Sequence, residues 1–199
     1  AGKKLYDKLG ETWYYGNTLS AVIGQAENNF TPLQMARYIA MLTNGGKKLD
    51  VTIIKNVINN NGEIVDKKEV EEYINDRLGI ERTDEQDLNV NKENLKTVLD
   101  GMQSVTEEGG TAYSVFKDFT IHVGGKTGSA EAGNKVNAWF VGFAPYEDPE
   151  IAVVVLVENG SHGYYSAEVT KEIMEAYFGL NEQIEENKEV KPYINTNEQ

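Results

Sequence analysis

The sequence contains no cysteine and has few basic residues for its acidic content. Without cysteine, the chain cannot form a disulfide or use a thiolate as a nucleophile or a metal ligand. Its 19 lysines and arginines stand against 32 aspartates and glutamates, which gives a formal net charge of −13. Nucleic acids and anionic lipid surfaces are bound by clustered lysine and arginine, so this charge balance argues against both kinds of partner.

Long apolar runs and metal-ligand patterns are missing as well. No stretch approaches the roughly 20 apolar residues of a membrane-spanning helix, and we expect no signal peptide within these residues. The two histidines, His122 and His162, do not form a pair at metal-ligand spacing. The carboxylates of residues 66–94 follow no ligand pattern and read as a solvated charge run. We therefore expect no metal and no other cofactor.

What the chain does have is enough apolar sequence for one folded domain. It has 199 residues, of which 40% are hydrophobic and 26% charged, values typical of a globular protein. Residues 1–179 carry this pattern, whereas residues 180–199 are polar and acidic and are expected to form a disordered tail. Because the sequence opens on Ala1 without a methionine, we expect it to be part of a longer chain.

The strongest helix signal begins at Thr31. Thr31 suits the N-cap, Pro32 suits the first helical position, and Gln34 completes a capping box. Asn44 and the two glycines after it predict the end of this helix. Three further helices are predicted: from Asp66 to a stop at Gly79, from Asn91 through Val105, and from Ser166 to Phe178 with a stop at Gly179.

The segment between the first two predicted helices contains a hairpin signal. Residues 59–62, Asn-Asn-Asn-Gly, separate the β-prone residues 51–58 from residues 63–65, and Asn-Gly in that setting predicts a tight turn. Residues 81–89 are charged and poor in apolar side chains, so they are expected to form a solvated loop.

Three segments in the second half of the chain predict strands. Residues 120–123 alternate polar and apolar side chains and lead into the glycine-rich residues 124–131. Residues 137–145 form a second predicted strand, which Pro145 ends. Residues 150–157 form a third strand, a β-branched run expected to be buried on both faces. Because the turns between these strands are short, they predict an antiparallel meander.

The segment that carries chemistry is residues 123–131, in which Lys126-Thr127-Gly128-Ser129 follows two glycines. The glycines remove side chains from one edge of the predicted strand, so that another backbone can approach it. Lys126 supplies a positive charge, and Thr127 and Ser129 supply hydroxyl donors. An exposed strand edge binds an extended peptide as an additional strand. The pattern therefore predicts capture of an extended, anionic peptide end beside a reacting carbonyl.

The order of Lys126-Thr127-Gly128, residues 137–145, an apolar strand and a helix resembles the C-terminal end of the penicillin-binding transpeptidases. Further segments resemble class B penicillin-binding proteins in particular: Ile23-Gly24-Gln25, Thr31-Pro32-Leu33-Gln34-Met35-Ala36, Asn44-Gly45-Gly46 and residues 102–112. The resemblance covers residues 18–58 and 95–178. It implies the C-terminal portion of the serine β-lactamase and D,D-peptidase fold, an α/β arrangement of the α+β type with an antiparallel sheet flanked by helices.

The same resemblance implies a serine nucleophile in a Ser-x-x-Lys motif, assisted by a Ser-x-Asn motif. No Ser-x-Asn occurs in the sequence. Ser114 and Lys117 form a literal Ser-x-x-Lys match, but it lies downstream of the helix that begins at Thr31, whereas the family's nucleophile lies well upstream of that helix. We therefore expect the nucleophile-bearing part to precede Ala1, and this chain alone to be inactive.

By resemblance, the candidate catalytic residues are Lys126, Thr127, Gly128 and Ser129, and the candidate substrate-binding residues are Gly125, Thr127 and Ser129. Lys126 is expected to position a proton-transfer network and Thr127 to hold the substrate's terminal carboxylate. The backbone N–H of Ser129 is expected to supply half of an oxyanion hole. The family more often has threonine where Ser129 stands, and serine keeps the hydroxyl.

The implied activity is that of a serine-type D,D-transpeptidase, which cross-links peptidoglycan by acyl transfer from D-Ala-D-Ala stem peptides and is inhibited by β-lactams. The implied partners are the N-terminal remainder of the protein, stem peptides, β-lactam antibiotics and a membrane glycan polymerase. The implied location is the extracytoplasmic face of the bacterial cell membrane.

Two alternatives remain open. One is a serine β-lactamase or β-lactam sensor domain, which shares the Lys-Thr-Gly strand; the segments at residues 23–25 and 31–36 weigh against it. The other is a non-catalytic interaction module that has kept the fold and lost the serine. The sequence before Ala1 would separate the enzyme from the module.

Overall fold

The computed structural model describes residues 7–22, 24–25, 28–49, 51, 54–79, 85–132 and 134–180. The predicted tail, residues 180–199, falls outside these residues except for Leu180. The described helices are α1 (Tyr15–Val22), α2 (Pro32–Thr43), α3 (Lys67–Leu78), α4 (Lys92–Gln103), α5 (Tyr113–Phe116) and α6 (Gly163–Tyr177). The described strands are β1 (Lys47–Leu49), β2 (Glu85–Asp87), β3 (Gly124–Ala132), β4 (Lys135–Ala144) and β5 (Ile151–Val157). None of these helices combines the length and the hydropathy that a membrane crossing requires.

The predicted meander is confirmed as a three-stranded sheet. Its strand order is β3-β4-β5, and both pairings are antiparallel. The register sets Lys126 opposite Val141 and Gly142 opposite Val153. β3 is therefore an outer strand of this sheet, which is the position that strand addition by a peptide requires.

The strand prediction at residues 120–123 is wrong, because β3 begins one residue after them. The carbonyl oxygen of Val123 accepts a hydrogen bond from the hydroxyl of Thr106 at 2.6 Å. The carbonyl oxygen of His122 accepts one from the backbone N–H of Tyr146 at 2.8 Å. These two carbonyl oxygens are therefore bonded to a side chain and to a loop residue, and not to a neighbouring strand. The alternation of polar and apolar side chains here reflects which residues are buried, and no β-ladder forms.

Helices cover both faces of the sheet. On one face, Phe140, Val153 and Met174 form a core with residues of α5 and α6. On the other face, Phe143 and Val141 pack against buried residues of α2 and α4, namely Ile39, Leu42, Leu95 and Met102. The alternating side chains of β4 therefore enter two different cores, which makes β4 the centre of the domain. The arrangement is the α+β sheet between helices that the resemblance implied.

Capping residues begin the helices as the sequence predicts. The Thr31 hydroxyl accepts a hydrogen bond from the N–H of Gln34 at 3.2 Å, and Gln34 Oε1 accepts one from the N–H of Thr31 at 2.9 Å, which completes the capping box. The side chains of Asp66 and Asn91 cap α3 and α4. α6 is the exception, because it begins three residues before its predicted start.

The charged segment of residues 81–89 contains a strand that the sequence did not suggest. β2 pairs antiparallel with β1 and sets Asp87 opposite Lys47. A directly opposed pair of unlike charges favours such a ladder. The prediction of a solvated loop is therefore wrong over β2, while residues 81–84 lie outside the described residues.

The predicted hairpin is present in a short form. A single antiparallel bridge joins Ile58 to Ile64. Between them, the N–H of Asn59 donates to the carbonyl of Glu63 at 2.9 Å. Apart from this bridge, the described residues of the two predicted strands form no regular ladder. The turn prediction is therefore confirmed, and the two strands were predicted too long.

The loop between β4 and β5 connects the sheet to α4. The hydroxyl of Tyr146 donates to Asp100 on α4, and Asp100 also pairs with Lys96 at 2.7 Å. The bond to the carboxylate raises the pKa of Tyr146 to about 12. The bonds from Lys96 and Tyr146 hold the pKa of Asp100 below its ordinary value. Because Tyr146 also bonds the His122 carbonyl, this loop fixes the approach to β3.

A second contact of the same loop joins Glu147 to Nδ1 of His122. It raises the pKa of His122 above its ordinary 6.5 and lowers the pKa of Glu147 below its ordinary 4.5. The contact therefore stabilises the fold fully between about pH 4.5 and 6.5. Its contribution is lost as pH rises through the raised pKa of His122 or falls through the lowered pKa of Glu147. Both side chains are more than half exposed, so the effect on stability is small.

We predict that an NMR titration gives His122 a pKa above 6.5 and that Glu147→Gln lowers it back toward 6.5, because the charged acceptor is lost. Glu150→Gln removes another exposed carboxylate from the same loop and is the matched control. A His122 pKa that is the same in the wild type and in Glu147→Gln would show that this contact does not form in solution.

The outer edge of β5 generates a prediction about association. Among the described residues β5 pairs only with β4, and all of its residues are apolar. An uncovered apolar edge is a template for pairing with another strand. We predict that the isolated chain associates with itself, as measured by sedimentation velocity over a range of concentrations.

Leu156→Lys places a charge on this edge and should reduce the association. Leu156→Thr is the matched control, because threonine suits a strand and adds no charge. A wild-type chain that stays monomeric over the whole range contradicts the prediction.

Candidate active site

The four residues of the Lys-Thr-Gly-Ser segment lie in the middle of β3, with Lys126 opposite Val141 and Thr127 opposite Phe140. Directly opposed residues of an antiparallel pair share a face of the sheet. Lys126 therefore lies on the face of the α2 and α4 core, and Thr127 on the face of the α5 and α6 core. β3 pairs only with β4 among the described residues, so backbone groups along its outer edge have no strand partner there.

Two phenylalanine rings of β4 explain the glycines before Lys126. A Cβ atom on Gly124 would lie 2.3 Å from the ring of Phe143, and one on Gly125 would lie 2.4 Å from the ring of Phe140. Both distances are far below van der Waals contact, so only glycine fits. The rings fill the space that the sequence suggested another backbone would use. A role for Gly125 in substrate binding stays a prediction.

The start of α6 packs directly on the candidate site. A Cβ atom on Gly163 would lie 2.8 Å from the carbonyl oxygen of Trp139, 3.1 Å from Cβ of Thr127 and 3.2 Å from the backbone nitrogen of Gly128. This approach holds Thr127 and Gly128 in place from the sheet face. The sequence predicts the helix only from Ser166, so this contact was not expected; the glycines at positions 160 and 163 were the available signal.

The side chains of Thr127 and Lys126 each have a polar partner. Thr127 is half-buried, and its Oγ1 lies 3.0 Å from Oγ1 of Thr111, with either hydroxyl able to donate. The exposed Lys126 side chain donates from Nζ to the carbonyl oxygen of Thr127 at 2.7 Å. Ser129 is exposed. Thr111 was not singled out from the sequence, although it lies in the family-like residues 102–112.

Ser114 belongs to a surface cleft whose lining includes none of residues 126–129. The cleft has a volume of about 430 Å³, and Ser114 is exposed there on α5, beside Lys171 and the three carboxylates of Glu168, Glu172 and Glu175. A hydrogen bond to Glu168 raises the pKa of Tyr164 in the same cleft. The three carboxylates outnumber the one lysine and oppose formation of a nearby alkoxide, which argues against Ser114 as the nucleophile. Within the described residues, no three acidic or histidine side chains form a group that could hold a metal ion.

The family model of the penicillin binding protein transpeptidase domain matches residues 6–177. The chain is 29% identical over 184 residues to the peptidoglycan D,D-transpeptidase MrdA of Haemophilus influenzae, an alignment that covers 83% of the chain and 26% of that protein. The solved structure of Pseudomonas aeruginosa PBP2 in complex with WCK 5153 matches with a TM-score of 0.72 at 31% identity, over 88% of this chain and 36% of that one.

A further structural match comes from a study of the structural coordination of polymerization and crosslinking by a peptidoglycan synthase complex. Its TM-score is 0.68 at 26% identity, and it covers 96% of this chain and 29% of that one. The chain thus spans about a quarter of the length of the Haemophilus influenzae relative. The family match extends over every element from α1 to α6, including the Lys-Thr-Gly strand. This chain belongs to the transpeptidase domain family of the penicillin-binding proteins, in the class B group that resembles penicillin-binding protein 2.

Proposed function

We propose that this chain is the substrate-binding part of a serine D,D-transpeptidase that cross-links peptidoglycan. The observation that carries the proposal is the placement of residues 126–129 on an outer strand of the sheet, with the Thr127 hydroxyl held by Thr111. An extended stem peptide that ends in D-Ala-D-Ala adds to the free edge of β3 through backbone hydrogen bonds. Its terminal carboxylate then meets the hydroxyl and ammonium groups of the segment.

Each residue of the segment has its own task in the proposed reaction. Thr127 donates its hydroxyl hydrogen to the terminal carboxylate of the stem peptide. Lys126 raises the local positive potential and supports proton transfer around the nucleophile. The N–H of Ser129 supplies half of the oxyanion hole, and its hydroxyl contacts the carboxylate of a β-lactam. Gly128 carries no side chain that could obstruct the peptide, and Gly125 lets the strand pack against Phe140 beside it.

The proposed nucleophile is a serine in a part of the protein outside this sequence. Its oxygen attacks the carbonyl carbon of the penultimate D-alanine, the peptide C–N bond breaks, and the terminal D-alanine leaves with a proton on its amine. An amine of a second stem peptide then attacks the ester, which forms the cross-link and returns a proton to the serine. A β-lactam enters the first step and remains bound as an acyl group.

The proposed setting is the extracytoplasmic face of the bacterial cell membrane, with the rest of the protein and the stem peptides as direct partners. The similarity to a chain of a peptidoglycan synthase complex supports a membrane glycan polymerase as a further partner. The transpeptidase name of the Haemophilus influenzae relative favours this reaction over that of a β-lactamase or β-lactam sensor. The non-catalytic module is excluded once an upstream serine is found to form the acyl adduct.

The chain alone should form no stable adduct with a penicillin, because the proposed nucleophile lies outside it. Incubation with a fluorescent penicillin and denaturing electrophoresis measure this. A labelled band that is lost in Ser114→Ala would identify Ser114 as the nucleophile, and a band that survives this substitution would show that another residue of the chain is acylated. Either band contradicts the proposal.

In the full-length protein, Thr127→Val should slow acylation by a β-lactam roughly 10- to 150-fold, because a charge-assisted hydrogen bond contributes about 1.5–3 kcal/mol. Lys126→Ala should slow it further, since it removes both a charge and support for proton transfer. The second-order acylation rate is the measurement. Both side chains are at least partly exposed, so melting temperatures should change little.

Matched controls separate the site from general effects of the substitutions. Lys135→Ala removes an exposed lysine from β4, and Thr120→Val removes an exposed threonine hydroxyl outside the segment. Both should acylate at the wild-type rate. A Lys126→Ala variant with wild-type acylation and an unchanged melting temperature would show that β3 is not the substrate-binding strand.

A further inference from the structure

Thr111 contacts a residue of the candidate site but has no task in the proposed reaction. Its Oγ1 lies 3.0 Å from Oγ1 of Thr127, across a gap of 16 residues in sequence. Thr111 is exposed, whereas Thr127 is half-buried. The two hydroxyls therefore lie at the surface of β3, where solvent or a ligand can reach them.

The turn that carries Thr111 is held firmly on both sides of it. A Cβ atom on Gly110 would lie 2.3 Å from the carbonyl oxygens of Ser104 and Val105, so the turn packs against the end of α4 too closely for any side chain. After Thr111, Ala112 is fully buried and its N–H donates to the Val105 carbonyl at 2.9 Å. Such fixed neighbours restrict the backbone position from which Thr111 reaches Thr127.

The same turn is joined to the residue before β3. The buried hydroxyl of Thr106 donates to the carbonyl of Val123 at 2.6 Å. Together with the hydroxyl pair, this bond holds the turn at two points, Val123 directly before β3 and Thr127 within it. The contacts of the turn with α4 and Val123 therefore set the distance between Thr111 and Thr127.

A threonine hydroxyl has one hydrogen to donate and two lone pairs to accept with. In an isolated threonine this hydrogen rotates among several directions. If Thr111 donates to Thr127, one lone pair of Thr127 is used and its own hydrogen is directed elsewhere, toward an anion at the strand edge. A chain of two hydroxyls that ends on a carboxylate is also strengthened by mutual polarisation.

We propose that Thr111 is a positioning residue, which donates to Thr127 and so orients the Thr127 hydroxyl to donate to the carboxylate of the substrate. This inference rests on the proposed function of Thr127. Thr111 acts through Thr127 and touches neither the reacting carbonyl nor the nucleophile. It should therefore matter for ligands with an anionic carboxylate and not for the same ligands with the charge removed.

The test compares Thr111→Val, Thr111→Ser, Thr127→Val and the double variant Thr111→Val/Thr127→Val in the full-length protein. The readout is the second-order acylation rate by a penicillin and by the methyl ester of the same penicillin. Thr111→Val should slow acylation by the free acid about 2- to 12-fold, the loss expected for one uncharged hydrogen bond. Thr111→Ser keeps the hydroxyl and should stay within about twofold of wild type, since it loses only a methyl group.

Two further results are expected if Thr111 acts through Thr127. The rate with the methyl ester should be the same in Thr111→Val and wild type, and the double variant should be no slower than Thr127→Val alone. Thr120→Val serves as the control for removal of an exposed hydroxyl nearby. Melting temperatures of all variants identify any loss that comes from folding.

Three outcomes would overturn the inference: a wild-type rate in Thr111→Val, an equal loss in Thr111→Val and Thr111→Ser, or losses that multiply in the double variant. Each of them leaves a slow Thr127→Val variant intact, so the proposed function survives. A Thr127→Val variant that acylates at the wild-type rate instead contradicts the proposed role of Thr127, and the role of Thr111 with it. The two failures are therefore distinguishable.

Discussion

The packing of two phenylalanine rings of β4 over the glycines of β3 is the constraint on which the rest of the structure depends. Phe143 lies over Gly124 and Phe140 over Gly125, so closely that neither of these two positions could hold a side chain. The same rings belong to the cores on opposite faces of the sheet. One pairing therefore fixes the register of β3 and joins both layers of helices, and it sets the Lys-Thr-Gly segment on the outer strand.

The proposed ligand is anionic and the chain is strongly acidic, and the local geometry reconciles the two. The net charge of −13 repels a carboxylate at long range, but salt screens exposed charges beyond roughly 8 Å at physiological ionic strength. Within that distance, the attraction of a carboxylate is determined by groups on β3, namely the Lys126 ammonium and the hydroxyls of Thr127 and Ser129. The start of α6 and the turn that carries Thr111 hold Thr127 from two directions, so its hydroxyl is positioned before a ligand arrives.

Features that depend on near neighbours in sequence could be predicted, and features that depend on distant contacts could not. The capping box at Thr31 and the order of the three strands follow from local patterns, and both are present. β2 was not predicted because it lies in a charged segment and pairs with β1 between residues 36 to 40 positions apart. The segment around Lys126 was found from its glycines, its charge and its hydroxyls, and the resemblance to a family gave its residues their expected roles. Thr111 and Gly163 were not found, because their contacts with Thr127 exist only in the folded chain.

The most direct test of the account is a crystal structure of the full-length protein acylated by a penicillin. We expect the penicillin carboxylate to lie about 3 Å from Oγ1 of Thr127 and the acyl carbonyl oxygen to lie about 3 Å from the backbone nitrogen of Ser129. Both contacts would place the ligand along the outer edge of β3. An acyl group attached to a serine whose ligand contacts neither Thr127 nor Ser129 would contradict the account.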